Sequence, residues 1–450
     1  MMSVLMHHLF GDGASTAYAK RRKGSIVRDE YDDTIAGRKL SPESLMMSYG
    51  YRPEWSEGAV KSPIFQTSTF AFESAAEGKR FFELAEGSAP AVEGEKLGLI
   101  YSRLNNPDLE ILENRLTLWD GAEKGLVFAS GMAAIATAML AYVRPGDVLL
   151  HSAPLYGGTD HLVHDVLPAF GVRPVEWEPD MAEHDLVAML DAALVDRRLG
   201  AVLMETPANP TNDLFSIALA RRVADRYGDE GRRVPVAVDN TFLGPIWQHP
   251  LRHGADLTIY SATKYIGGHS DLIAGAVLGS EEMIRPVHGM RTVLGTMATP
   301  YTAWLMMRSL ETLDLRMRRE TETAGKIAAF LASHPKVREV NYLGLLEEGD
   351  TGYDILQEQT EGPGAMISFW IDGDEEESFR FLDALSLIHI AVSLGSTETL
   401  AEHPATMTHA AVDPDEKKKL RVNGALIRLS IGVENADDLI HDIATALDAV

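Results

Sequence analysis

Leu257-Thr258-Ile259-Tyr260-Ser261-Ala262-Thr263-Lys264-Tyr265-Ile266-Gly267-Gly268-His269 is the stretch that decides the fold. An apolar, partly β-branched run leads into Ser, Thr and Lys and then into a glycine pair. This reads as a buried strand that ends on a lysine-bearing turn. Twenty-five residues before Lys264, the strand from Val234 to Val238 ends on Asp239. A lysine and an aspartate at the exits of two buried strands match what pyridoxal phosphate (PLP) needs. The amine forms a Schiff base with the aldehyde, and the carboxylate keeps the ring nitrogen protonated.

Working outward, helix and strand patterns alternate from Pro107. A helix is predicted from Asp108 to Trp119, then a strand from Gly125 to Phe128, then an apolar helix through Ala141. Further strands are expected at Val148 to His151, Ala201 to Met204 and Gly275 to Leu278. Such alternation predicts an α/β fold with a large, mostly parallel sheet covered on both faces. Ligands of such sheets bind beyond the carboxyl ends of the strands. Ser130, Asn209, Asp239 and Lys264 all fall at such ends and should share one crevice.

Past Pro300 the pattern changes. A long helical stretch follows Tyr301, and strand-like runs occur at Val337 to Tyr342, Met366 to Ile371, Ile390 to Leu394 and Leu426 to Val433. A closing amphipathic helix is expected from Ala436 to Leu447. These elements predict a smaller C-terminal α+β domain over 301–450, after a PLP-binding domain over 105–300. Residues 1–104 are expected to be an N-terminal extension and arm contacting a partner subunit, of which residues 1 to about 45 read equally as a partly disordered tail. Its first 45 residues are polar, with a basic cluster at Lys20 to Lys23, and a Gly/Glu/Ala-rich loop is expected between Phe81 and Leu99.

Composition narrows the function. The 450 residues carry a formal net charge of −25 and no cysteine. That surface repels nucleic acid and anionic lipid, so neither is expected as a partner. The missing cysteines exclude disulfides, thiolate metal sites and a cysteine nucleophile, and fit a reducing cytoplasm. The first ten residues do not read as a signal peptide, and no run reaches membrane-span length.

Several side chains carry two readings. Ser130-Gly131-Met132 opens a helix after a strand, either as a phosphate-binding N-terminus or as a plain N-cap. Tyr156, in a Gly-Gly turn, either stacks on a cofactor ring or is a loop tyrosine. Arg428 lies in a strand, where alternation points it either inward to grip an α-carboxylate or out to solvent. His161 and His164, followed by Asp165, have helical spacing, but no third ligand is evident in the sequence, and no metal is expected.

Nine motifs in order then carry a resemblance: YSRLNNP (101–107), ASGMAA (129–134), LYGGT (155–159), ETPANP (205–210), VDNT (238–241), SATKYIGGHSD (261–271), VSLGSTETL (392–400), HPATMTH (403–409) and RLSIGVE (428–434). The chain resembles the PLP-dependent Cys/Met metabolism enzymes from about Met47 to Val450. The resemblance implies the fold type I, aspartate aminotransferase-like architecture and a cytoplasmic homotetramer. It implies that Lys264 holds PLP, that Asp239 pairs with the ring nitrogen and that Tyr156 stacks on the ring and serves catalysis. Gly131, Met132, Ser261 and Thr263 are implied as phosphate ligands. Tyr101 and Arg103 would reach the phosphate of a neighbouring subunit, so each site would use two chains. Asn209, Ser393 and Arg428 would contact the substrate carboxylate and the cofactor.

Within the family, cystathionine enzymes usually carry Glu where this chain has Val392 and Arg where it has His161. Methionine γ-lyases typically carry Cys at the position of Gly158. Val392 and the HPATMTH run lead to an expected γ-elimination on methionine or a similar thioether. The alternatives are γ-replacement, as in cystathionine γ-synthase or O-acylhomoserine sulfhydrylase, and cystathionine γ-lyase activity.

Overall fold

The computed structural model describes residues 33–450 apart from 93, 94, 96, 230, 411 and 413; the basic cluster at Lys20 to Lys23 lies outside that range. A small antiparallel ladder, β1 (Thr34–Ile35) with β2 (Arg38–Lys39), precedes the main body. The large sheet contains β3 (Lys124–Phe128), β4 (Val148–Ser152), β5 (Arg173–Trp177), β6 (Leu199–Glu205), β7 (Val236–Asp239), β8 (Leu257–Tyr260) and β9 (Gly275–Gly279). Their order is β3-β9-β8-β7-β6-β4-β5. Only β9 runs against its neighbours.

Alternate strand residues build two cores. Leu149, Leu203, Ala237 and Ile259 pack with the helices Gly131–Tyr142 and Glu281–Leu294. Val148, Leu150, Val202, Met204, Val236 and Val238 pack with Glu183–Ala193 and Ile217–Arg226. A sheet buried on both faces demands unbroken apolar strands, and β6 is buried along its whole length.

The C-terminal sheet has the order β10-β11-β14-β13-β12, from β10 (Val337–Asn341), β11 (Met366–Ile371), β12 (His389–Ile390), β13 (Leu400–Glu402) and β14 (Leu426–Ser430). Phe369, Ile427 and Leu429 of this sheet pack against Leu313–Ser333 and Ala436–Asp448.

Four expectations are corrected. The segment from Phe81 is not loop throughout, because a helix spans Ala75–Glu86, capped by the Ser74 hydroxyl accepting from the Glu77 N–H and ended by Gly87 in the left-handed region. The run Ile390 to Leu394 is strand only at His389–Ile390, because Ser393 holds φ at 124° and turns the chain out of the ladder. The run Leu426 to Val433 leaves the ladder after Ser430. The helical stretch past Tyr301 is two helices, Pro300–Leu310 and Leu313–Ser333. Strands β5 and β13 have no counterpart in the sequence reading. β5 carries Pro174 and Glu176 and lies at the sheet edge, where neither is penalised as it would be inside.

Candidate active site

The carboxyl ends of β6, β7 and β8 open into a cavity of about 640 Å³ lined by Lys264, Asp239, Asn209, Arg428, Ser393 and Tyr156, among others. Gly131, Met132, Ser261 and Thr263 line it as well. Residues separated by up to 298 positions in the chain thus meet, as strand-end geometry predicts.

Lys264 follows β8 and is largely enclosed. Its Nζ donates to the Ser393 hydroxyl at 2.8 Å. Burial, together with the nearby Arg428 guanidinium, pulls the amine down to about 8, while Glu402 opposes this. Ser393 offers two contacts from its strained backbone, the hydroxyl to Lys264 and the carbonyl to Arg428 Nη2 at 2.9 Å.

Arg428 faces inward and is 3% exposed, so the outward reading falls. Its Nη1 donates to Asn209 Oδ1 at 2.7 Å. The same nitrogen meets Glu402 Oε1 at 2.9 Å across the β13–β14 ladder, where the two residues are direct partners. Among the described residues, the buried Nε–H finds no partner. A buried donor left open beside a cavity is costly unless a ligand completes it. The free edge of the fork suits a carboxylate.

Asp239 ends β7. Burial pushes its carboxyl up, and two donors from Thr241 pull it back, the hydroxyl at 2.6 Å and the N–H at 3.0 Å. Opposite it across the β6–β7 ladder stands Glu205, buried and raised to about 8 by desolvation and by Asp239. The Glu205 carboxylate accepts from the Tyr156 N–H at 2.9 Å and the Asn209 N–H at 2.7 Å. It therefore fixes the backbone of two cavity residues at once.

One end of the cavity is set by the helix Gly131–Tyr142. Ser130 caps it, its hydroxyl accepting from the Ala133 N–H at 3.0 Å. A Cβ at position 131 would come within 3.0 Å of the Ser261 Cα and within 2.9 Å of its Cβ. Only glycine lets the helix N-terminus and the end of β8 approach this closely, and such a helix start suits an anion. The two readings of Ser130-Gly131-Met132 are thus compatible, since the cap itself borders the cavity.

Tyr101 and Arg103 do not join this cavity. Tyr101 is 41% exposed, the Arg103 guanidinium lies 5.9 Å from its ring centroid, and Arg103 donates to the Thr292 carbonyl. His161 is also absent from the lining; it is exposed and pairs with Asp165 at 2.7 Å. Glu205, Thr241 and Glu402 escaped the residue-by-residue sequence reading. Glu205 and Thr241 sit inside quoted motifs, beside residues already singled out. Glu402 could be found only from the register that places it opposite Arg428.

The residues fit pyridoxal phosphate. An enclosed lysine, a buried carboxylate supported by a hydroxyl, a glycine cradle at a helix N-terminus and an orphaned arginine N–H answer its aldehyde, ring nitrogen and phosphate and the carboxylate of an amino-acid substrate. Sheet and site together define a PLP-dependent enzyme of fold type I. The family model for Cys/Met metabolism PLP-dependent enzymes matches residues 43–448, and the chain belongs to that family. It is 39% identical over 403 residues to the L-methionine gamma-lyase of Pseudomonas putida, covering 89% of this chain and 96% of that protein. It is 35% identical over 412 residues to the cystathionine gamma-lyase of Bacillus subtilis, covering 91% of this chain and all of that one. The crystal structure of cystathionine gamma synthase from Xanthomonas oryzae pv. oryzae superposes with a TM-score of 0.81 at 32% identity, over 92% of this chain and 99% of that one.

Proposed function

We propose that the chain is a γ-lyase that cleaves methionine or a similar thioether amino acid, giving 2-oxobutanoate, ammonia and a thiol. One observation carries this reading. The charged groups lining the cavity are Lys264, Asp239, Glu205 and Arg428, and each already has a part in holding the cofactor, the α-amino acid end or the local backbone. Among the described residues, the rest of the lining from this chain, including Val392, Ile273 and Met407, offers no further ion to a second amino-acid head group. An apolar wall suits a methylthio group and leaves the distal end of cystathionine unpaired. The methionine gamma-lyases among the relatives support the same reading.

When bound, PLP supplies an electron sink for charge developed on the substrate carbons. The chain's own residues do the rest. Asp239 holds a proton on the ring nitrogen. Arg428 uses its free Nε edge to fix the substrate carboxylate, with Asn209, Glu402 and the Ser393 carbonyl keeping the guanidinium in plane. Lys264, whose burial beside Arg428 makes the amine easier to deprotonate, takes the α-proton and works next at the β-carbon. Ser393 aims the lysine nitrogen. Tyr156 handles the proton near the γ-substituent, its backbone pinned by Glu205.

Supplied with methionine alone, the enzyme should release 2-oxobutanoate, ammonia and methanethiol in equal amounts. No release, with rapid turnover of an acylated homoserine plus a thiol, would assign γ-replacement instead.

Tyr101 and Arg103 support a site shared between two chains of a cytoplasmic homotetramer. They lie off their own cavity and, as the resemblance implies, serve the phosphate of a neighbour. Mixing inactive Arg103→Ala chains with inactive Lys264→Ala chains should restore part of the activity, since some sites regain both residues. Three working units, 1–104, 105–300 and 301–450, correspond to arm, PLP-binding domain and C-terminal domain. No described helix is long and apolar enough to cross a membrane.

A further inference from the structure

We propose that His151, His164 and Glu176 form a binding site for a divalent transition-metal ion of the zinc class, at the sheet edge behind the Tyr156 loop. The three residues come from three elements. His151 lies on β4 and Glu176 on β5, and the parallel register makes them direct partners. His164 comes from the wide helical turn Leu162–Val166 that follows Tyr156. One ligand atom from each lies within 4.8 Å of the other two.

The hydrogen bonds leave one buried lone pair open and orient the other two side chains toward it. His151 is fully buried, and its Nδ1 lies 3.0 Å from the Ser152 carbonyl. A carbonyl only accepts, so Nδ1 carries the proton and Nε2 presents a lone pair. Among the described residues, that Nε2 has no partner. His164 Nδ1 lies 2.9 Å from Asp160 Oδ1, which turns its Nε2 toward Glu176 at 3.4 Å. Metal-bound histidines usually donate their second N–H to a carbonyl or carboxylate in this way. The 3.4 Å separation is also close to the edge of a tetrahedron with bonds of about 2.0–2.1 Å. Only the His151 ring needs to draw in.

Two histidines and a glutamate are a three-ligand set that leaves a fourth position for water. The side chains of His164 and Glu176 are 32% and 36% exposed, so an ion can enter from solvent while His151 closes the floor. The site also touches the active-site loop. Ser152 adjoins His151, and its hydroxyl accepts from the Glu205 N–H at 2.9 Å. Glu205 in turn holds the Tyr156 N–H. An ion here would tie the helix after Tyr156 to β4 and β5 and stiffen the loop.

The competing reading is that a proton on His164 does the ion's work, bridging Asp160 and Glu176. Metal uptake separates the two. The full-length, PLP-loaded protein is dialysed against a chelator and titrated at mildly alkaline pH with Zn²⁺, counting bound metal per chain, and then with Co²⁺, whose visible bands lie clear of the violet cofactor absorption. The expected result is one ion per chain with a tetrahedral Co²⁺ spectrum. Glu176→Gln and His164→Asn should each abolish the stoichiometric binding, and both positions are solvent-facing enough for the variants to fold. Asp160→Asn should weaken it about 10- to 100-fold. His161→Asn, one turn away but outside the cluster, should bind normally. Failure to bind one ion, or binding that survives both Glu176→Gln and His164→Asn, overturns the proposal. Loss in His161→Asn equal to that in His164→Asn does the same, because it would place the metal on exposed histidines.

Discussion

Arg428→Lys tests the carboxylate grip most directly. The substitution keeps the positive charge, so Glu402 retains a counter-ion and no buried charge is stranded. What it removes is the planar fork. In the native site Nη1 serves Asn209 and Glu402, Nη2 serves the Ser393 carbonyl, and Nε remains for the substrate. A lysine ammonium at this position meets Glu402 but cannot also span Asn209 and present a second edge. The loss is therefore about one charge-assisted hydrogen bond to the substrate carboxylate, roughly 1.5–3 kcal/mol. At about 1.4 kcal/mol per tenfold, kcat/KM for methionine should fall roughly 10- to 150-fold. The assay is 2-oxobutanoate release under steady state, with the violet cofactor band and the circular dichroism spectrum confirming an intact, loaded protein. As a control, 3-(methylthio)propylamine lacks the carboxylate, and its binding, followed through the change in cofactor absorption, should be unaltered. A kcat/KM within threefold of wild type in a folded, loaded variant refutes the reasoning. So does an equal loss with the amine, which would mean that Arg428 acts on the lysine or the cofactor rather than on the carboxylate.

Three further outcomes follow from the same geometry. With the cofactor stripped, the rate at which an acylating reagent modifies Lys264 should rise with pH through a midpoint near 8 and not near 10.5, because burial and Arg428 disfavour the charged amine; mass spectrometry of the labelled peptide reads this directly. Gly131→Ala should weaken PLP binding by about 1–3 kcal/mol, or roughly 5- to 150-fold, since the new methyl must push the helix N-terminus away from Ser261; equilibrium dialysis with PLP measures it. Glu320 is fully buried on the helix Leu313–Ser333, neither carboxylate oxygen has a hydrogen-bond partner among the described residues, and desolvation raises it to about 8. A carboxyl raised on folding binds more protons in the native state, so its contribution to stability is present at low pH and lost as pH climbs from about 4.5 toward 8. Glu320→Gln should remove that loss and raise the Tm above pH 8 while changing little below pH 5, as thermal melts across the range would show.

Much of the site was legible before the chain was folded. Strand ends announce themselves by the switch from apolar residues to Ser, Thr, Asp or Lys, so Asp239 and Lys264 could be placed at the mouth of one crevice from local pattern alone. Ser130 was legible as a helix cap for the same reason. Boundaries failed where a single residue overrode the pattern. The left-handed backbone of Ser393 breaks an apolar run that reads as strand, and the same strain lets its hydroxyl and carbonyl serve two partners. The short edge strand β5 was invisible because its proline and charges resemble a loop.

The sequence by itself determined the type of chemistry, because a Schiff-base lysine, a ring-nitrogen carboxylate and a glycine-cradled helix start are each local features with fixed chemical requirements. Only the tertiary structure decided how those groups are tuned and supported. The inward aim of Arg428, its pairing with Glu402, the support of Tyr156 by Glu205 and the meeting of His164 with His151 and Glu176 all depend on strand register. Register is fixed by the burial of both faces of a sheet across the whole chain. No window of neighbouring residues contains that information.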